Sequence, residues 1–257
     1  MSRTPASYGR RGRVDDANTG VRHPAPTYGK AKLGTYTQKA NGHINVELEA
    51  ERFVSHLLEI DPRVRGFQPQ PFCVDLIDER LLLTKAARSA AWHAYRERPG
   101  PKLYTPDFSI DWQDGLRYAV EVKLEGFEGD EMYWEKIELA RPILTANGYP
   151  LRTWVMPANT AHPLRMNARL LKQAMHQRHA YLNAELVERV RDRCEAGPVT
   201  VRTLCEELHL MPGLMPILLV SGLLTADVAH LPICGTLEVS LAYGDLSHLC
   251  LLEEVER

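Results

Sequence analysis

Two acids and a lysine occur together in a segment that has the pattern of a β-hairpin. Residues 104 to 123 alternate between apolar and polar side chains on both sides of a possible loop, Gln113-Asp114-Gly115. Such a three-residue loop favours a glycine in the left-handed conformation. Residues whose numbers sum to 228 then face one another, so that Asp107 is opposite Glu121, with Lys123 two residues further on the same face. A shift of one residue would pair apolar with polar residues, so the pattern selects this register.

Two carboxylates at this separation indicate a metal site. The side chains of Asp107 and Glu121 would repel each other beside a core unless a cation lay between them. Hard oxygen ligands suit Mg²⁺ or Mn²⁺. The ammonium of Lys123 could orient an attacking water or neutralise charge that grows on a phosphate, which is nuclease chemistry. The alternative is a two-stranded ribbon whose solvated polar face only helps solubility.

The order of these residues is similar to a known nuclease pattern. Pro106-Asp107, thirteen further residues and then Glu121-Val122-Lys123 resemble the motif of the PD-(D/E)XK nuclease superfamily. The resemblance implies an α/β fold with a restriction-endonuclease-like core and Mg²⁺-dependent phosphodiester hydrolysis. Residues 47 to 70 add an acidic start, an apolar helix, Asp-Pro-x-Val and Gln-Pro, an order that resembles the amino-terminal domain of the TnsA family of transposon-end endonucleases. With residues 134 to 140 and a strand around Arg152 to Met156, the resemblance covers about residues 36 to 157.

The resemblance implies a set of catalytic residues. Asp107 and Glu121, with the carbonyl of Val122, would hold the metal ion, and Glu51 would bind it directly or through water. Lys123 would position the hydroxide or stabilise the charged phosphorane. Two further residues are auxiliary candidates: Gln70, which would orient water or metal ligands, and Lys136, which would touch phosphate.

The helix glutamate has a second candidate. A helix opened by Asn45 would bury the stripe Ala50, Phe53, Val54, Leu57 and Leu58, with Glu47 and Glu51 at its edge. Either acid would reach over the sheet toward the metal. The alternative is an ordinary acid in the first turns of a helix, where the helix dipole favours it.

The sequence departs from the family pattern at two places. TnsA-type sequences can carry glutamine at the position of Glu121, so that this chain has the more usual acid. Between Gln70 and Tyr104 lies an insertion, residues 73 to 103, in which Leu81 to Arg98 predict an added helix of open role.

Composition limits the class of protein. With 257 residues, 44% of them apolar, the chain can form one large or two small domains. No apolar run approaches a membrane span and no apolar segment follows the first arginines, so we expect a soluble protein in the cytoplasm. Five scattered cysteines predict reduced, mostly buried thiols rather than disulfides, and Cys205 with His209 predicts a core pair rather than a zinc site.

The ends of the chain differ in charge. Residues 1 to 40 carry eight arginines and lysines against Asp15 and Asp16, which predicts a basic flexible arm that would add contacts to DNA phosphates. The alternative is a tail that its charge merely keeps solvated. The segment from Glu238 to Glu256 is acidic and should avoid DNA.

The second half has a different pattern. A nuclease domain over 41–158 and a linker at Asn159 to Pro163 would precede a winged-helix-like domain over 165–257. Helices are predicted at Met166–Arg178, Ala184–Cys194, Thr200–Leu208 and Leu214–Gly222, and strands near Leu223–Thr225 and Leu237–Leu241. The last helix lacks side chains that read bases, which favours a protein-binding role or a place in the core.

We expect a metal-dependent DNA endonuclease. The resemblance implies 5′-strand cleavage at transposon ends, double-stranded DNA as substrate, and a TnsB-like transposase and a TnsC-like AAA+ ATPase regulator as partners. A restriction, repair or junction-resolving nuclease is the first alternative. A non-cleaving scaffold that bridges DNA and the regulator is the second. No esterase elbow or P-loop supports a small-molecule hydrolase.

Overall fold

The computed structural model describes residues 20–21, 33–127 and 129–256. Most of the predicted basic arm lies outside these ranges, but its last part does not: residues 33 to 37 form a strand, so the arm ends before residue 40. The elements of the first half, in chain order, are β1 (Leu33–Thr37), β2 (Gly42–Val46), α1 (Glu49–Ile60), β3 (Val64–Pro69), β4 (Cys73–Asp75), β5 (Arg80–Leu82), α2 (Lys85–Ala94), β6 (Leu103–Tyr104), β7 (Phe108–Trp112), β8 (Arg117–Leu124), α3 (Glu131–Ala146) and β9 (Leu151–Met156).

A four-stranded sheet in the order β3-β7-β8-β9 forms the centre of this half. Strands β3, β7 and β8 are antiparallel, whereas β9 runs parallel to β8. A parallel neighbour needs a crossover connection, and helix α3 provides it. The described chain is therefore mixed α/β, as predicted.

The predicted hairpin register is confirmed. Phe108 pairs with Val120, Ile110 with Tyr118, and Asp111 with Arg117. The loop closes through the Gly115 amide, which donates to the Trp112 carbonyl at 3.1 Å. Gly115 has a φ of 88°, the left-handed conformation that its position requires.

Both faces of the sheet are covered, which excludes the ribbon with a solvated polar face. On one face, Phe108 and Val120 pack with α1 in the main core. On the other, Ala119 packs with Ile137 and Ala140 of α3 in a second apolar cluster. In the sequence, the hairpin has only one clearly apolar face. The face that packs against α3 does so at the small Ala119, and the other side chains of that face are mostly polar.

Helix α1 begins later than predicted. Asn45 lies in β2 opposite Gly34, and Leu48 is the residue that precedes the first helical turn. Glu47 therefore lies before the helix rather than in it. The predicted stripe is otherwise confirmed, since Phe53, Val54, Leu57 and Leu58 are all buried.

The predicted inserted helix is shorter than Leu81 to Arg98. Helix α2 covers residues 85 to 94, capped by the Thr84 hydroxyl, which accepts the Ala87 amide. Leu81 and Leu82 belong to β5, because they pair with β4 in a small antiparallel sheet of order β5-β4-β6. Beside the central sheet, the insertion thus forms a layer whose strands β4 and β6 contact α3.

The second half is mostly helical and ends in short strands. Its elements are α4 (Pro163–Tyr181), α5 (Ala184–Cys194), β10 (Val199–Thr200), α6 (Val201–Leu208), α7 (Met215–Val220), β11 (Leu224–Thr225) and β12 (Glu238–Leu241). The three strands form a sheet of order β10-β12-β11. The predicted start of α5 and the threonine cap of α6 are confirmed, since the Thr200 hydroxyl accepts the Thr203 amide at 3.2 Å. All six residues of α7 are buried, so its leucines are core residues.

The two halves share one apolar core. Residues of α1 and α4, such as Leu57, Leu164 and Leu171, belong to the same cluster. The chain end returns to the central sheet, where the Val155 amide donates to the Val255 carbonyl at 2.8 Å. The acidic end pairs with nearby basic side chains instead of facing solvent alone, because Glu256 lies 2.8 Å from Arg152.

All five cysteines are free, and Cys73, Cys194 and Cys205 are buried as expected, whereas Cys234 is exposed. Within the described ranges, no single helix is long and apolar enough to cross a membrane. One bent pair, Val201–Leu208 with Pro212–Val220, has the required length and apolar character when its two helices are taken together.

Candidate active site

One cavity gathers most of the residues predicted to do chemistry. It has a volume of about 290 Å³ and opens between the start of α1, the hairpin β7–β8, α2 and α3. The predicted residues that line it are Glu47, Glu51, Asp107, Glu121, Val122, Lys123 and Lys136. The hairpin supplies four of them because β7 and β8 are paired, whereas Glu51 and Lys136 come from α1 and α3, and Glu47 from the segment before α1.

Asp107 lies at the entry of β7 and is fixed by the backbone of β8. Its Oδ2 accepts the Val122 amide at 2.8 Å, and its own amide donates to the Val120 carbonyl at 3.0 Å. Burial, then the neighbouring charges of Glu121 and Glu51, raise the pKa of Asp107 well above its usual range. The fold therefore disfavours the ionised form of this carboxyl.

Glu121 is buried in the middle of β8 with two donors around its carboxylate. The Tyr104 hydroxyl donates to Oε2 at 2.6 Å, and the Lys123 ammonium lies 3.1 Å from Oε1. Burial raises the pKa of Glu121, and both neighbours oppose that rise because they stabilise the ionised form. Burial also raises the pKa of Tyr104 well above its usual value, so this hydroxyl is a donor at neutral pH.

Lys123 is held between an acid and an aromatic ring. Its Nζ lies 3.4 Å from the centroid of the Tyr133 ring on α3, and Lys136 lies 4.8 Å from the same centroid. The ring quadrupole attracts both cations. Two ammonium groups are thereby placed at the same side of the cavity as Glu121, with Lys123 the nearer one.

The structure distinguishes the two candidate glutamates of the first helix. Glu51 lies in the first turn of α1 and is only 5% exposed, while its Oε2 accepts the Glu47 amide at 2.9 Å. Glu47 lies before the helix and at the cavity wall. The charge of Glu51 contributes to the raised pKa of Asp107. This interaction favours Glu51 as the helix acid of the site.

Gln70 does not line the cavity. It is buried behind it, with a φ of 44°, and its side-chain amide donates to Glu47 at 3.2 Å. Its backbone carbonyl accepts the Val21 amide at 2.9 Å, and its backbone amide donates to the Asp107 carbonyl at 2.8 Å. Gln70 therefore holds the Glu47 side chain and the backbone at Asp107.

The donor set suits a hard divalent cation in its chemistry, although it is not assembled around one. Glu51, Asp107 and Glu121 bring carboxylate oxygens to one cavity, and burial, then the charges of Glu121 and Glu51, raise the pKa of Asp107. Within the described ranges, however, no three His, Cys, Asp or Glu side chains already stand as a ligand group. The Val122 amide donates to Asp107, and Tyr104 and Lys123 contact Glu121, which leaves further lone pairs of both carboxylates to bind a cation.

The cavity wall also includes aromatic and basic residues that the sequence does not indicate as site residues. They are Arg88 and Trp92 of α2, Tyr104 of β6 and Tyr133 of α3. The only sequence signal for α2 was its helical pattern, and nothing local connected Tyr104 to Glu121. Tyr104 and Tyr133 lie where the insertion packs against α3, whereas α2 packs through Ala91 against Leu82 of β5.

A larger cavity of about 510 Å³ lies at the opposite end of the hairpin. Its walls include Arg63, Trp112, Arg152 and Trp154. The two arginines pair with Glu253 and Glu256. The residues that line this larger cavity do not combine several carboxylates with an ammonium, as those around Glu121 do. The smaller cavity is therefore the better candidate for catalysis.

No known protein-family model matches this sequence, and no curated protein matches it at a significant level.

Proposed function

We propose that the chain is a metal-dependent DNA endonuclease of the PD-(D/E)XK type, similar to the TnsA family. One observation carries the proposal: Glu51, Asp107, Glu121 and Lys123 line the same cavity. Four residues that the resemblance implied from separated positions thus meet in space. The sheet order β3-β7-β8-β9, with helices on both faces, supports a restriction-endonuclease-like core.

The residues present have distinct roles in phosphodiester hydrolysis. Asp107, Glu121, Glu51 and the Val122 carbonyl would hold Mg²⁺ or Mn²⁺. When bound, such an ion activates water and neutralises charge on the phosphate. Lys123 places its ammonium beside Glu121, where it orients the attacking water and offsets negative charge in the transition state. Tyr104 holds the Glu121 carboxylate in one orientation.

The second half supports an assembly role rather than base readout. Its order of helices and strands, with the sheet order β10-β12-β11, supports a winged-helix-like domain. The helix in the recognition position, α7, is buried throughout. A domain that has no exposed recognition helix is better suited to bind a protein, which we propose to be the ATPase regulator that acts with a transposase.

The transposon-end activity can be tested by reconstitution with a TnsB-like transposase and a TnsC-like ATPase on labelled transposon ends. We expect nicking of the 5′ strand by the wild type and its loss in Asp107→Ala and Lys123→Ala, with folding and partner association retained. Asp192→Ala, an exposed acid on α5, is the matched control and should nick normally. Wild-type nicking by either site variant would exclude the catalytic assignment.

The alternatives predict different results in the same experiment. A restriction or repair nuclease would cut DNA strongly as the lone chain. A scaffold would support assembly without any Asp107-dependent cleavage. Genes for a transposase and an AAA+ ATPase beside the coding sequence would favour the transposon-end nuclease over both.

A further inference from the structure

Helix α2 of the insertion presents two residues to the candidate active site. Arg88 and Trp92 are four residues apart, so they lie on one face of the helix, and both line the cavity that contains Asp107 and Glu121. The hairpin motif accounts for neither residue. Their position makes both residues candidates for contact with a substrate.

Arg88 has an unused hydrogen-bond donor. Its Nε is buried and has no partner among the described residues. Leaving a guanidinium nitrogen buried without an acceptor is unfavourable, so an anionic acceptor in the cavity would relieve the cost. The planar fork of arginine matches a phosphate group.

Trp92 exposes an aromatic surface at the same cavity. The residue is 53% exposed, although leaving an aromatic ring in contact with water costs free energy. The Lys102 ammonium lies 5.7 Å from its ring centroid. An exposed ring beside cations is the arrangement on which a nucleobase stacks, and a base offers its face only when it leaves the duplex stack.

The charge around α2 fits a nucleic-acid backbone. Residues 85 to 102 contain Lys85, Arg88, Arg96, Arg98 and Lys102 against the single acid Glu97. This local excess contrasts with the overall net charge of -2. Phosphates of a strand that enters the cavity would meet this side of it first.

We propose that α2 binds one nucleotide of the DNA strand beside the catalytic carboxylates, with its phosphate on Arg88 and its base, taken out of the duplex stack, on Trp92. The inference deepens the proposed nuclease function, because this strand is the one to be cleaved. It assigns the insertion a substrate-positioning role. Arg88 and Trp92 thereby favour frayed or distorted DNA over a fully paired duplex.

Fluorescence anisotropy of the full chain tests this proposal with Ca²⁺ replacing Mg²⁺ to prevent cleavage. The probes are a short fluorescein-labelled thymidine oligonucleotide and the same strand in a duplex. We expect Trp92→Leu to weaken single-strand binding roughly tenfold, whereas Trp92→Phe keeps most of it. Arg88→Gln should reduce the slope of log K against log salt by about 0.7, and Arg88→Lys should restore it.

Matched substitutions far from the cavity serve as controls. Tyr243→Leu removes another exposed aromatic ring, and Arg191→Gln removes another surface cation; both should bind as the wild type does. Circular dichroism and thermal unfolding confirm that each variant folds. Unchanged single-strand affinity in Trp92→Leu, or an equal loss for strand and duplex, overturns the proposal, as does wild-type salt dependence in Arg88→Gln.

The outcomes separate this site from the nuclease itself. If reconstituted cleavage depends on Asp107 while the α2 variants bind normally, the nucleotide site is wrong and the nuclease stands. If the α2 variants lose single-strand binding and no cleavage is found, the nuclease is wrong and the nucleotide site stands.

Discussion

The Tyr104 hydroxyl donates a hydrogen bond of 2.6 Å to the Glu121 carboxylate. The two residues are 17 apart in sequence and belong to different sheets. The bond joins the insertion to the catalytic hairpin, because Tyr104 ends β6 and Glu121 lies in β8. A buried carboxylate needs such donors to remain ionised.

Replacing Tyr104 with phenylalanine should destabilise the site without unfolding the chain. The change removes a hydrogen bond to a buried charged group, which we expect to lower the free energy of unfolding by about 2 kcal/mol. Urea denaturation at neutral pH measures the loss. Tyr149→Phe is the control, because its exposed hydroxyl meets only Arg117 at 3.2 Å, and its effect should stay within about 0.5 kcal/mol. Equal effects of the two changes would contradict the role assigned to Tyr104.

The helix acid can be identified by comparing three glutamates. Glu51→Gln should reduce nicking at least about a hundredfold, because it removes a buried carboxylate that acts on Asp107. Glu47→Gln should cost less, since Glu47 lies at the cavity wall before the helix. Glu49→Gln should nick normally, because Glu49 pairs with Arg52 and Arg169 outside the cavity. Single-turnover rates measure the three effects, and a larger loss for Glu47→Gln would reverse the assignment.

Asp107→Asn should lose metal binding yet keep the stability of the metal-free protein. Burial and the charges of Glu121 and Glu51 raise the pKa of Asp107, so its ionised form opposes folding, and asparagine can still accept the Val122 amide. In Mn²⁺ at a hundred times its dissociation constant, the wild type should gain about 2.7 kcal/mol and the variant none. Thermal unfolding with and without Mn²⁺ measures both. A variant that is strongly destabilised without metal would show that Asp107 is structural.

His56 should make the protein sensitive to acid. Burial, then the charges of Lys172, Arg52 and Arg169, lower the pKa of His56 to about 3. Below the ordinary pKa of 6.5 the unfolded chain binds a proton that the folded chain does not, so stability is full above pH 6.5 and falls toward pH 3.

This contribution can be isolated by difference. His56→Gln should remove a slope of at most about 1.4 kcal/mol per pH unit between pH 6.5 and pH 4, measured by urea denaturation against the wild type. His93→Gln, which replaces an exposed histidine, is the matched control variant. Parallel curves for wild type and His56→Gln would contradict the assignment.

Asn167 should be essential to the second half. Its side-chain amide donates to the Val228 and Leu231 carbonyls at 2.8 and 2.7 Å, and its oxygen accepts the Ile233 amide at 3.0 Å. Asn167→Ala leaves three backbone groups without this partner and should cost about 3 kcal/mol of unfolding free energy. Asn159→Ala, which removes one exposed bond, should cost less than about 1 kcal/mol. Similar midpoints in urea would disprove the role of Asn167.

Local patterns were enough to predict the hairpin and several helices. The register of β7 and β8 followed from alternation, because a slip of one residue moves every side chain to the opposite face. The start of α5 and the cap of α6 at Thr200 followed from residues adjacent to them. Local pattern does not predict β2, because the polar Asn45 is equally suited to cap a helix, and only its pairing with β1 makes it part of a strand.

The sequence by itself determined which groups could do chemistry on the hairpin, namely Asp107, Glu121 and Lys123, because their arrangement depends on neighbouring residues and one tight loop. Only the tertiary structure decided that Glu121 is buried, that Glu51 rather than Glu47 lies in the helix, and that α2 reaches the cavity. These relationships join segments that are far apart in sequence. They form only when α1, α3 and the insertion bury their apolar faces against the sheet, and no local pattern specifies that packing.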